Sequence, residues 1–257
     1  MDAGFRTPLL DFFRRGEVAR DIRLLAAQGA LAPRAHEQLG LLLLLVEDQD
    51  PEVAQTAEAT LQAIPRDALS AFLARSDVAA EVRTFFAARG IEPVSMPTTP
   101  DPEAPIVDTG PEPEADPPDE DEKTALQRIN AMNVAQRIAL AMKGSREART
   151  ILIRDPNKIV GAAVLSSPKM TDSEIESIAK MASISDELLR IIANTRAWMK
   201  RYGVVLALAK NPKTPVAISM NLLARLNDKD LRMLSTDRNV AEIVRTTARQ
   251  KLVMDKK

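Results

Sequence analysis

His36 is the only histidine among 257 residues, and cysteine is absent. Without a second imidazole or any thiolate, the chain has no means to assemble a His/Cys metal centre, a Cys–His nucleophile pair or a disulfide. A serine nucleophile would have to be built around His36, yet the G-x-S-x-G elbow that exposes such a serine does not occur. His36 lies in RAHEQLGLLLLL, on or beside an apolar helix, and reads as a structural or surface residue. Acidic residues pair as Asp172 with Glu174, Asp186 with Glu187, and Asp228 with Asp230. Each pair falls where a helix should begin, and carboxylates there complement the positive end of the helix dipole. Thr171, three residues before Glu174, fits a capping box. Glycoside hydrolysis would need two carboxylates facing across a cleft, which this spacing does not supply. The stretch MKGSREART (Met142 to Thr150) leads a Gly–Ser pair into a helix, an arrangement able to present amides to an anion. It lacks the spaced glycines of a nucleotide loop and reads as a helix–helix turn capped by Ser145. No catalytic residue, cofactor or metal is therefore expected, and the chain reads as non-enzymatic.

The cations carry a stronger signal. Lys143, Arg146, Arg149, Arg154 and Lys158 form one cluster, and Arg190, Arg196, Lys200 and Arg201 a second. Arg232 repeats the setting of Arg149 and Arg190 near the start of a helix. A stripe of this kind could bind nucleic-acid phosphates, an acidic protein segment or anionic lipid. The plainer alternative is solvated helix surface with acids four residues away. The sole tryptophan and tyrosine, Trp198 and Tyr202, are spaced four apart as if on one helix, beside Lys200 and Arg201. Aromatics interleaved with cations can stack bases, but two are few, and packing in the core or between repeats is the favoured reading.

The net charge of -1 conceals segregation. Residues 1–92 hold ten Arg, no Lys and fourteen acids; residues 93–121 hold nine acids and no base; residues 122–257 hold twenty-five bases and thirteen acids. By count these segments carry about -4, -9 and +12. The middle segment also contains nine of the seventeen prolines. It has too few apolar residues to offset ordering entropy, so a disordered, extended linker is expected. It reads as a spacer; its one apolar cluster, Ile106–Val107 before Asp108, offers the alternative of a short docking motif.

Elements that would position the cations are helical. Apolar residues make up 45% of the chain but aromatics only 3%, so Ala, Leu, Ile and Val must form the core, which suits packed helices. The spacing predicts helices over Pro33 to Asp48 and Pro51 to Ile64, the second capped by Asp50 and stopped by Pro65. Leu69, Phe72 and Leu73 mark a short helix; Val78, Val82, Phe85 and Phe86 mark another, closed by Gly90. The five phenylalanines in these N-terminal helices are expected in the core. The run LGLLLLLV (Leu39 to Val46) is too short to span a bilayer and reads as a buried helix. The N-terminus lacks the pattern of a secretory signal, so a cytoplasmic location is expected.

Beyond residue 122 the pattern repeats. SPKMTDSEIESIAK (Ser167 to Lys180) is echoed by NPKTPVAISMNLLA (Asn211 to Ala224), and ISDELLRIIANT (Ile184 to Thr195) by NDKDLRMLSTD (Asn227 to Asp237). Gly161 finds its counterpart in Gly203. The offsets are roughly 42 to 44 residues, the period of two- or three-helix solenoid units. In the corner LAKNPKTPVA, Thr214 is the expected cap and Pro215 the expected first helical residue. A partial copy, VAEIVRTTARQKL (Val240 to Leu252), follows; NVAQRIALAMKG and REARTILIRD open the series.

NPKTP before an apolar helix, then a short acid-capped helix, then RNVAEIVRTTA resembles HEAT-like and variant leucine-rich repeats of the armadillo-like class. The stretch REARTILIRDPN is also similar to stretches in uncharacterised bacterial proteins. The resemblance covers most of 122–257 and, loosely, 33–90. It implies an all-α architecture: a HEAT-like N-terminal domain (1–92), a disordered linker (93–121) and a basic, right-handed α-solenoid (122–257) of about three repeats. It also implies an interaction scaffold, since most such proteins work that way and a few HEAT-like ones are DNA glycosylases. The expected partner is an acidic protein surface or segment, with the linker 93–121 as an intramolecular competitor. Nucleic-acid binding through the same face is the alternative, and glycosylase activity around Trp198 a third reading.

Overall fold

The computed structural model describes residues 7–32, 34–94, 105–107 and 122–254. Among them every regular element is helical, as expected, with seventeen α-helices and no strand. The chain divides into two compact units, Met1–Leu152 with Ala162–Pro168, and Ile153–Gly161 with Lys169–Lys257. The expected linker lies outside the described residues except for Pro93, Val94 and residues 105–107.

The first unit contains α1 (Pro8–Arg14), α2 (Arg20–Ala27), α3 (Ala35–Leu45), α4 (Pro51–Ala63), α5 (Arg66–Leu73) and α6 (Ala80–Ala87), then α7 (Glu122–Ala131), α8 (Val134–Lys143) and α9 (Arg146–Leu152). The division runs through α10 (Lys158–Leu165). Helix α3 is the centre of the N-terminal core. It packs on α1, α2 and α4, and Leu39, Leu41, Leu42 and Leu45 are buried. A helix apolar on nearly every side belongs in an interior, where each buried leucine contributes about 1.5–3 kcal/mol of transfer free energy. Two polar residues share that burial: Glu37 is ion-paired to Arg34, and Gln38 faces Gly29.

Helix α4 begins as its sequence dictates. Asp50 accepts a hydrogen bond from the Glu52 N–H at 3.0 Å, and Pro51 opens the helix where a missing N–H is harmless. Pro65 disfavours helical backbone at Ile64, where α4 ends. Gly90, at φ 73°, turns the chain after α6 so that the Ile91 N–H reaches back to the Phe86 carbonyl. Phe12, Phe13, Phe72 and Phe86 are buried. Phe85 departs from expectation. It is half-buried, edge-on to Phe86 at 5.2 Å, with the Arg89 guanidinium 3.6 Å from its ring centre. That cation–π contact satisfies a ring face that water would otherwise cover. Helix α1 is tied down by a distant residue: the Ser166 hydroxyl accepts from the Leu9 N–H at 3.1 Å and donates to the Ala162 carbonyl at 2.9 Å.

Residues 105–107 also lie in this unit. Oε1 of Gln38 accepts from the N–H groups of Ile106 (2.8 Å) and Val107 (3.1 Å). Its Nε2 donates to the carbonyls of Val107 (3.1 Å) and Gly29 (3.0 Å).

The second unit contains α11 (Asp172–Lys180), α12 (Asp186–Asn194), α13 (Arg196–Met199), α14 (Tyr202–Lys210), α15 (Val216–Leu222) with a following 3₁₀ turn (Leu223–Arg225), α16 (Asp228–Thr236) and α17 (Glu242–Met254). Thr171 and Glu174 form the expected capping box on α11. Ser185 and Asn227 cap α12 and α16. Packing joins α11 to α14, α14 to α15, and α16 to α17. Ile175, Ile178, Leu189, Ile192, Leu208, Leu231 and Leu234 supply much of the core.

The two echoed corners share a device. After α14, the buried Asn211 donates from Nδ2 to the carbonyls of Ala179 (2.8 Å) and Met181 (2.9 Å), at the end of α11. Its Oδ1 accepts from the Lys213 N–H at 2.9 Å, bending the chain into the turn. After α10, the buried Ser167 donates to the Met142 carbonyl in the last turn of α8 at 2.8 Å. In each case a polar side chain at the corner satisfies carbonyls that a helix end leaves open. The capping expected of Thr214 is not found. Thr214 is buried, and its hydroxyl has no hydrogen-bond partner among the described residues. Pro215 itself stands at the cap position, its carbonyl accepting from the N–H groups of Ile218 and Ser219.

Candidate binding face

The ten cations singled out by the sequence fall in both units. Lys143, Arg146 and Arg149 belong to the first; Arg154, Lys158, Arg190, Arg196, Lys200, Arg201 and Arg232 belong to the second. Arg149 is no surface residue. It is 5% exposed and donates to the Gly144 carbonyl at 2.9 Å, so its guanidinium serves the turn between α8 and α9. Its position one turn into α9 aims it back over that turn. Lys143 is half-buried and Arg146 exposed.

In the second unit three of the cations already have acidic neighbours. Lys158 lies 3.0 Å from Glu187, which sets the start of α10 beside the start of α12. Arg201 lies 2.6 Å from Asp172, joining the starts of α14 and α11. Arg190 reaches Asp186 on its own helix at 3.6 Å. Apart from Glu187 these side chains are about half or more exposed, and the exposed pairs contribute at most about 1 kcal/mol each. Arg154, Arg196, Lys200 and Arg232 are exposed and have no carboxylate partner among the described residues. Arg196 opens α13 and Lys200 closes it, following directly on α12. Lys213, Lys229 and Arg238 are likewise exposed without such a partner. They were not among the ten, because singly spaced cations give no cluster in the sequence. The second unit as a whole holds nineteen Lys and Arg against eleven Asp and Glu, about +8 by count.

Trp198 and Tyr202 do not share a helix. Lys200 and Arg201 interrupt it, leaving Trp198 half-buried in α13 and Tyr202 at the start of α14. The Tyr202 hydroxyl donates to Oδ2 of the buried Asp230 at 2.5 Å and accepts from the Asn227 N–H at 3.2 Å. Desolvation, and then the Asp230 carboxylate, hold its pKa above the usual phenol value against the opposing Asn227 contact. Tyr202 thus ties α14 to the capped start of α16. Asp230, one of the paired acids, is engaged in that tie, and Asp172 and Asp186 in ion pairs.

Among the described residues no group of three or more His, Asp or Glu is arranged to hold a metal ion, and no helix is long and apolar enough to cross a membrane. What the arrangement offers chemically is fixed positive charge on a helical framework. Compared with protein families, with characterised proteins and with solved structures, the chain matches none.

Proposed function

We propose that the chain is a non-enzymatic, cytoplasmic interaction scaffold whose second unit binds an acidic segment of a protein partner through a basic face. The observation that carries this reading is the set of exposed cations without carboxylate partners: Arg154, Arg196, Lys200 and Arg232. Unneutralised positive charge of this kind raises the local concentration of acidic ligands and steers their approach. The echoed corners at Ser167 and Asn211 support a HEAT-like, right-handed α-solenoid in which equivalent positions of successive repeats line one continuous surface. The buried Arg149 falls outside that surface.

The test uses the full chain and a labelled poly-glutamate peptide. Reversing Arg196→Glu, Lys200→Glu and Arg232→Glu together should weaken binding at low salt by at least about tenfold, on the order of 0.5 kcal/mol per exposed charge. Unchanged affinity in the folded triple variant refutes the reading. Nucleic acid is the alternative ligand of the same face. Tighter binding of duplex DNA than of the peptide, with a steep dependence on salt concentration, would favour it.

A further inference from the structure

We infer that Gln38 and Gly29 form a peptide-binding site, occupied in this chain by its own Ile106–Val107, that accepts a bent segment of a partner protein carrying a β-branched residue in its place. The site is unrelated to the basic face of the second unit. Gln38 is 1% exposed in the first turns of α3, where an unmet amide would be costly. Its side chain is met by peptide backbone. Oε1 takes two successive N–H groups, at 2.8 and 3.1 Å, and Nε2 gives a hydrogen bond to the carbonyl of the second residue at 3.1 Å. One amide side chain thus reads the donor and acceptor of Val107 together, and its hold on two successive N–H groups fits the bend of the chain at Ile106–Val107.

Gly29 supplies selectivity. Its φ of +80° already favours glycine, and a Cβ there would stand 2.8 Å from Cγ1 and 3.0 Å from Cβ of Val107. The missing side chain is the space that the valine fills. A contact made to backbone, plus one side-chain slot, defines the occupant by shape: a bent dipeptide whose second residue is Val or Ile. Pro105 precedes it and restricts the backbone before the contact, lowering the entropy lost on docking. Both Ile106 and Val107 remain half-buried, so the cis segment covers the site without being locked into the core. Residues 93–121, with nine acids and nine prolines, tether this segment covalently to the unit it contacts. A tether of that kind holds its own segment at an effective concentration of about millimolar, which a partner peptide of moderate affinity can overcome.

The experiment measures fluorescence anisotropy of a labelled peptide spanning residues 103–109, added to the full chain. Val107→Asp in the protein releases the cis segment. The peptide should bind this variant at least about tenfold more tightly than it binds wild type. Adding Gln38→Ala to the released chain should abolish binding. Adding Gly29→Ala should weaken the valine peptide far more than a peptide with glycine in place of the valine. Far-UV circular dichroism checks that each variant is folded, and the ratio between the two peptides reads the slot independently of overall stability. No binding to the released chain, or equal binding after Gln38→Ala, overturns the inference. A concentration-dependent wild-type dimer that Val107→Asp abolishes would assign the trans occupant to a second copy and would also overturn it.

Discussion

Replacing Asn211 with alanine removes three hydrogen bonds from one buried point. Two of them satisfy the carbonyls of Ala179 and Met181 at the end of α11, and the third holds the Lys213 N–H in the turn. Ala179 is buried, so water cannot readily replace the lost donor there; Met181 and Lys213 are more accessible and recover part of their loss. With about 1 kcal/mol for each bond, roughly half of it recovered at Met181 and Lys213, and a further 1–3 kcal/mol for the stranded carbonyl of Ala179, the cost should be about 3–5 kcal/mol. Asn211→Asp keeps the turn but sets a carboxylate against two carbonyl oxygens, and should cost more at neutral pH than Asn211→Ala. Ser167→Ala, which removes the bond to Met142, should cost at least about 1 kcal/mol. Urea unfolding followed by far-UV circular dichroism checks the series, with the m-value reporting whether each variant still unfolds the same surface. A loss below about 0.5 kcal/mol for Asn211→Ala, the range of an ordinary surface change, would refute the role given to this corner.

Thr214→Val should leave stability unchanged or raise it by up to about 1 kcal/mol, because it removes a buried hydroxyl without a partner while keeping the shape; a clear loss in the same unfolding assay would show that the hydroxyl is satisfied in solution. Gly161→Ala should destabilise by about 1–3 kcal/mol, since the new methyl would stand 2.7 Å from Cδ1 of the buried Leu188, and a neutral result would show that Leu188 has room to turn away. The Arg20 hydrogen bond holds the Asp50 carboxyl below its usual pKa, and Arg75 does the same for Asp77. A carboxyl lowered in the folded state adds stability that is fully present above its unfolded pKa near 4 and is lost as pH falls through the folded value. Unfolding monitored between about pH 5 and 2 should therefore show a shallower acid loss in Arg20→Gln than in wild type, and an identical slope would exclude Asp50 from it.

The helices were legible because their caps and apolar spacing are local. Asp50 with Pro51, and Thr171 with Glu174, each act within one turn, so the sequence states them directly. The solvent face was legible only in part. Arg149 and Arg190 occupy echoed positions, yet Arg149 turns back to a carbonyl while Arg190 stays exposed, a difference set by the turn before each helix. Trp198 and Tyr202 have helical spacing, but the break at Lys200 and Arg201 separates them. Thr214 resembled a cap, and its burial placed the hydroxyl beyond any backbone amide. The partner of Gln38 lies 68 and 69 residues away, a distance at which no periodicity speaks. In the sequence Gln38 follows His36 and Glu37, just before the apolar run Leu39 to Val46, so nothing local marks its amide as buried.

The bond between Ser166 and the Leu9 N–H spans 157 positions, and it gives the first helix a late completion date during synthesis. At about 5–20 residues per second, roughly 8 to 30 s separate the two residues as they leave the ribosome. Until Ser166 arrives, α1 has its Thr7 cap but an open amide at Leu9. Its apolar residues Leu9, Leu10, Phe12 and Phe13 must meanwhile rely on α3 for cover. Chains that stop before residue 166 should therefore leave this helix frayed and open to proteases, although every residue of the helix itself is present.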